Sequence, residues 1–276
     1  MASSSENLYT YYVPSKAAAI VVAIIFIILT ALHLWRIFAT RKWFGFALVT
    51  GGFFEIIGLL ARFYSSSHLS EKGPYIVQIL LILLAPILFA AGIYMFLGRL
   101  IRGSGHPKLS FIRINWLTKI FVIGDILCFF IQAAGAGKLV NADTSDSVDT
   151  AQNIILVGLA LQVVFFCVFA ICAVVFHIRA HRNHIFKLID PSLRLELMLY
   201  LLYLCSLLVT VRNIYRFIEY KSGTTGYLQE HEWPQYGLDV GLMGVIMVVT
   251  VLWYSANTTS VVSNNQYPLV GVSEFQ

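Results

Sequence analysis

Arg212, Arg216 and Glu219 lie four and three residues apart in a stretch that continues a long apolar run. At about 100° per residue they share one face of a helix. Glu55 and Arg62 are seven apart, as are Asp125 and Gln132, while Gln78, Gln162 and Asp239 add single polar groups to other apolar runs. Side chains of this kind could pair with one another, bind an ammonium through carboxylates, or bind a phosphate or carboxylate through arginines. They do not make a hydrolytic set. A zinc hydrolase needs about three converging histidines, and His33 and His177 are the two that fall inside apolar runs. No Gly-x-x-x-x-Gly-Lys-Ser/Thr loop is present to cradle a nucleotide. The four cysteines, Cys128, Cys167, Cys172 and Cys205, all lie in apolar runs and suggest neither a disulfide nor a zinc site. We therefore expect no enzyme activity, no cofactor and no bound metal.

The setting of these charges is what gives them weight. The chain has 276 residues, of which 58% are hydrophobic and 12% charged, and its mean hydropathy is +0.77. Such values belong to a membrane protein, and in a bilayer ionisable groups are costly and mark function by default. A span of about 20 apolar residues crosses the ~30 Å hydrocarbon core as a helix. Seven stretches qualify, at 17–39, 44–64, 75–101, 116–138, 154–177, 195–217 and 236–255. The expected fold class is thus an all-α integral membrane protein, a bundle of seven transmembrane helices over 17–255. Pro86 removes a backbone hydrogen bond inside the third span and predicts a kink there, a candidate hinge. Gly51, Gly52, Gly58, Gly135 and Gly137 suit close helix approach.

Twelve of the nineteen Lys and Arg residues fall in one set of loops and span ends: Arg36, Arg41, Lys42, Arg99, Arg102, Lys108, Arg113, Lys119, Arg179, Arg182, Lys187 and Arg194. The positive-inside rule then puts the N-terminus outside and the C-terminus in the cytoplasm. Residues 1–16 read as an extracellular segment without the pattern of a cleavable signal peptide, and 256–276 as a disordered cytoplasmic tail. Asn257-Thr258-Thr259 matches a glycosylation acceptor, but this topology sets it on the wrong side. With that orientation Arg62, Gln78, Gln132, Arg212, Arg216 and Asp239 occupy the outer half of the bundle, with Glu55 and Asp125 nearer the middle. Together with Gln162 and Glu219 they are the candidate substrate-binding residues, and His231 and Glu232 are candidates in the outer loop. Two readings stand side by side. The groups line a polar cavity, or they tie helices together at about 1 kcal/mol per interhelical bond. His33 and His177 read as packing or interfacial histidines.

Blocks of these residues, taken in order, resemble a known family. Glu55-Ile-Ile-Gly with Arg62, Gln78 before Leu-Leu-Ala-Pro86, Ala-Gly-Ile-Tyr94 to Leu97-Gly-Arg99, and Asp125 with Gln132-Ala-Ala-Gly-Ala-Gly137 are followed by Gly158-Leu with Gln162. Arg212 to Tyr220, Gly226-Tyr-Leu and His231-Glu232 complete the set. The chain resembles the RTA-like proteins of fungi, also called the lipid-translocating exporter family, from Tyr12 to Asp239. It departs from them in the seventh span, which reads Asp239-Val-Gly-Leu-Met and Tyr254-Ser-Ala where Pro-Met and His-Pro-Gly are expected. The resemblance implies a plasma-membrane protein that exports or flips sphingoid bases or toxic sterol-like amphiphiles and so confers resistance to them. Its partners are then membrane lipids and an amphipathic substrate, with no nucleic acid; self-association into a homo-oligomer stays open. A receptor or sensor for an amphiphile is the alternative reading, and an intramembrane lipid-modifying enzyme the third.

Overall fold

The computed structural model describes residues 15–68, 71–142, 144–188, 191–222 and 227–256. Every regular element among them is helical, and seven helices are long and apolar enough to cross a membrane. We label these α1 (Lys16–Thr40), α2 (Phe46–Ser65), α3 (Lys72–Gly103), α4 (Ile114–Val140), α5 (Ser145–Arg182), α6 (Leu195–Lys221) and α7 (Gln235–Ser255). Hydrocarbon offers no partner to exposed backbone, so each crossing closes its own hydrogen bonds. The expected tail beyond Ala256 and most of the expected N-terminal segment lie outside the described residues.

The ends are set by local chemistry. The Ser15 hydroxyl caps α1 by accepting from the Ala18 N–H at 3.4 Å. Thr144 and Ser147 exchange side-chain to backbone bonds in a capping box at the start of α5. α5 then runs for 38 residues, about 57 Å, well past the apolar stretch 154–177. Its last turn carries Arg179, His181 and Arg182, which complement the helix dipole.

Consecutive helices are neighbours, α7 returns to α1, and α3 also touches α5, α6 and α7. α3 is accordingly the central helix, buried from Ala85 to Leu100 except for a half-buried stripe at Leu88, Met95 and Arg99. It continues through Pro86 as one uninterrupted helix. Close approach is built from missing side chains: a Cβ on Gly51 of α2 would stand 3.2 Å from the Ala85 carbonyl oxygen of α3. The outward faces of α1, α4, α5 and α6 expose Ile28, Phe130, Ile171 and Leu207, among other large apolar side chains. That distribution is the one a bilayer solvates.

Candidate functional site

The charges gather at the end of the bundle that carries the N-terminus of α1. Arg212 and Arg216 stand one turn apart on α6, so both reach across to the same carboxylate on α7. Arg212 Nε donates to Asp239 Oδ1 at 2.6 Å, and Arg216 Nη2 donates to Asp239 Oδ2. Arg216 Nη1 also donates to Glu219 at 3.0 Å, across one turn of α6. Arg212 and Asp239 are fully buried, and Arg216 and Glu219 nearly so. Arg212 Nη1 reaches its neighbour Asn213 at 3.4 Å.

Glu55, on α2, is 1% exposed and interacts electrostatically with Asp239, Arg212 and Arg216. Among the described residues its Oε2 has no hydrogen-bond partner, and the same holds for Arg212 Nη2 and Arg216 Nε. Two arginines thus face three carboxylates. Buried ions are tolerable only when paired and hydrogen-bonded, and this set leaves one carboxylate and several polar atoms unmatched.

The local backbone makes the arrangement. α7 opens with a π-helical stretch, Gln235–Val240, whose wider turn is closed by the Gly241 N–H on the Tyr236 carbonyl. A Cβ on Gly241 would lie 2.6 Å from that oxygen, so the turn needs glycine. Such π turns are frequent at functional positions, and here the stretch holds both Asp239 and Tyr236.

A second layer covers the first. Arg62, near the end of α2, donates to Glu232 at 3.1 Å and to the Tyr236 hydroxyl at 3.2 Å. Glu232 accepts from the Ser15 N–H through both oxygens, at 2.9 and 3.0 Å. The loop before α7 is thereby fastened to α1 and α2. Glu232 remains 19% exposed, the most open of the ion-paired side chains.

The other residues expected at the site form no ion pair with this network among the described residues. Asp125 accepts from the Tyr94 hydroxyl at 2.8 Å, among Phe121, Phe166 and Phe169, whose rings surround Tyr94. Gln132 Nε2 donates to Gln162 Oε1 at 2.8 Å across α4 and α5, where Gly158 leaves room for the Gln132 side chain. Gln78 is buried in α3 with Oε1 unpartnered. His231 is exposed, with Nδ1 on the Tyr227 carbonyl at 3.0 Å. Tyr236, Asn213 and Ser15 are not among the sequence candidates, and Tyr94 enters the sequence reading only within a block shared with the RTA-like proteins. A signal existed for Tyr236, which stands three residues before Asp239.

At the opposite end of the bundle the polar groups are of another kind. His33 is fully buried on α1, with Nε2 at 2.9 Å from the Met247 carbonyl and Nδ1 at 3.0 Å from the Tyr254 hydroxyl. One neutral tautomer satisfies both bonds, Nε2–H donating and Nδ1 accepting. Lys42, between α1 and α2, donates to the carbonyls of Tyr254 and Ala256, capping the end of α7. Burial, with Arg36 and Arg99 nearby, holds its pKa below the usual lysine value. Among the described residues no three His, Cys, Asp or Glu side chains gather as a metal site would.

Fold and site together define a polytopic seven-helix membrane protein with a buried, partly unmatched ion network at one end. The chain belongs to the RTA1 like protein family, whose model matches residues 48–261. It is 33% identical to protoporphyrin uptake protein 1 of Saccharomyces cerevisiae, over 96% of this chain and 99% of that protein. It is 37% identical to protein RTM1 of the same yeast, over 74% of this chain and 65% of that one. The yeast sphingoid long-chain base transporter RSB1 is 27% identical over 92% of this chain and 75% of its own length. No solved structure matches.

Proposed function

We propose that the protein moves single-chain amphiphiles with a cationic head, sphingoid long-chain bases among them, across or out of the plasma membrane. The observation that carries this reading is Glu55. It is a buried carboxylate with an unpartnered oxygen, next to two arginines already engaged by Asp239 and Glu219. An ammonium entering the network supplies the missing positive charge, while its chain stays among apolar helix faces. Charge attraction is strong where water is excluded, so the head need not be large to be held. Arg62, Glu232 and Tyr236 form the cover over this site, and the basic loops at the other end support an orientation with the site towards the outer leaflet and the N-terminus outside. Gln78, Asp125, Gln132 and Gln162 then serve helix packing more than head-group binding, and Pro86 gives α3 a place to bend.

The relative named as a sphingoid long-chain base transporter supports a cationic substrate. The relative named for protoporphyrin uptake points to an anionic one, which Arg212 and Arg216 would receive. Glu55, an acidic side chain that no arginine pairs with among the described residues, favours the cation.

The test is reconstitution into liposomes with a fluorescent sphingoid base, comparing wild type with Glu55→Gln and Arg212→Ala. Wild type should accelerate passage between leaflets and both variants should lose most of it. Equal passage with and without wild-type protein would sink the proposal.

A further inference from the structure

We propose that a groove between α5 and α6, at the end of the bundle away from the ion network, binds one acidic phospholipid of the surrounding bilayer. The cavity measures about 310 Å³ and is lined by Val174, His177, Ile178, His181, Arg182 and Tyr203. The five α5 residues fall on one stripe of its last turns, and Tyr203 faces them from α6. The floor is fixed by a stacked ring pair, His177 and Tyr203, with centroids 5.7 Å apart and planes within 2°. Tyr203 donates its hydroxyl proton to the Ala173 carbonyl at 3.3 Å, so His177 Nδ1–H donates to the Tyr203 oxygen at 3.1 Å. This pair spaces the helices and keeps the groove from closing.

The groove has two chemically different parts. Its body is apolar, built by Val174 and Ile178, which are exposed on the face the bundle presents to lipid. At its end His181 and Arg182 are both exposed in the last turn of α5. Arg179 is used on the Leu109 carbonyl at 3.2 Å, whereas no carboxylate pairs with Arg182 among the described residues. Glu196, at the start of α6, accepts from the Tyr200 hydroxyl. A guanidinium fork suits a phosphodiester, and basic pockets between membrane helices are recurring sites for anionic head groups. The volume is at the small end of ligand pockets, which run from about 300 Å³. Part of one acyl chain fits the body while the phosphate stays at the rim. A free anion would gain nothing from Val174 and Ile178, which is why the occupant is a lipid. The proposal stands independently of the transport reading.

Native mass spectrometry of the full chain, released from detergent containing equal dioleoylphosphatidylserine and dioleoylphosphatidylcholine, tests it. Wild type should retain the acidic lipid about fivefold over the zwitterionic one, the selectivity expected of one unpaired arginine near a membrane surface. Arg182→Gln should abolish that preference, and because Arg182 is exposed the fold should survive the change. Ile178→Trp, which fills the body of the groove, should lower retention of both lipids, with an unchanged melting temperature showing that the fold is intact. Equal retention of the two lipids by wild type, or an unaltered preference in Arg182→Gln, overturns the proposal. So does stabilisation by inorganic phosphate equal to that by the acidic lipid. A lipid-free dimer abolished by Ile178→Trp would likewise overturn it, in favour of a second copy of this chain.

Discussion

The two ends of α7 are buried against different neighbours, α6 at its start and α1 at its end, and solve opposite problems. At its last turns His33, Lys42 and Tyr254 meet backbone carbonyls and one another, while Trp253 Nε1 and Arg36 Nε have no hydrogen-bond partner among the described residues. At its first turns Asp239 gathers two arginines, and Glu55, Arg212 and Arg216 keep unpartnered atoms within reach. Matched polar groups hold a bundle together and leave nothing for a ligand. Unmatched ones in a low-dielectric setting are costly, and they persist where something else is to be bound. The difference between the ends is thus one of charge: a buried cluster of acids and arginines at the first turns, and hydrogen bonds to backbone carbonyls at the last.

Arg212→Ala should do the greatest damage. Removing one partner of a buried pair costs about 3–5 kcal/mol because the other charge stays behind, measurable as a lower unfolding midpoint in detergent. The paired change Arg212→Met with Asp239→Leu should recover much of the stability without recovering amphiphile movement. Recovery of both would make the network mere scaffolding and break the comparison. Gly241→Ala comes next, since its Cβ meets the Tyr236 carbonyl oxygen. Overpacking of this kind costs about 1–3 kcal/mol, and the shifted π turn should move Asp239 and reduce flux as well. At the other end His33→Ala strips partners from Met247 and Tyr254, at about 1–3 kcal/mol, yet flux per folded molecule should be unchanged. A loss of flux there would erase the distinction between the ends. Smallest in stability is Glu232→Gln, at most about 1 kcal/mol for a partly exposed pair. It loosens the cover over the site, so faster amphiphile entry should be its main effect in the liposome assay.

The seven crossings were legible because lipid imposes continuous helices, and every predicted span lies within a residue or two of a helix or inside a longer one. α5 overran its span because the flanking polar residues 145–153 extend the helix beyond the apolar stretch. Arg212, Arg216 and Glu219 could be assigned to one face from spacing alone. Their common partner could not, since Asp239 is a full helix and a loop away. Asp125 and Glu232 show the limit most clearly. Depth along a helix sets Asp125 beside Glu55 near the middle of the bundle, but depth says nothing of azimuth, and its side chain accepts from Tyr94 instead. Glu232 looked like a loop residue and supplies the partner of Arg62. The π turn left no trace in hydropathy, because it changes the winding of a helix rather than its composition.

The most direct measurement compares two probes in wild type and Glu55→Gln: a fluorescent sphingoid base, which carries an ammonium, and its N-acylated, uncharged counterpart. If Glu55 is the counter-charge for the head group, wild type moves the cation faster than the neutral lipid and the variant moves both at the same slow rate. A variant that keeps the wild-type preference for the cation would contradict the account.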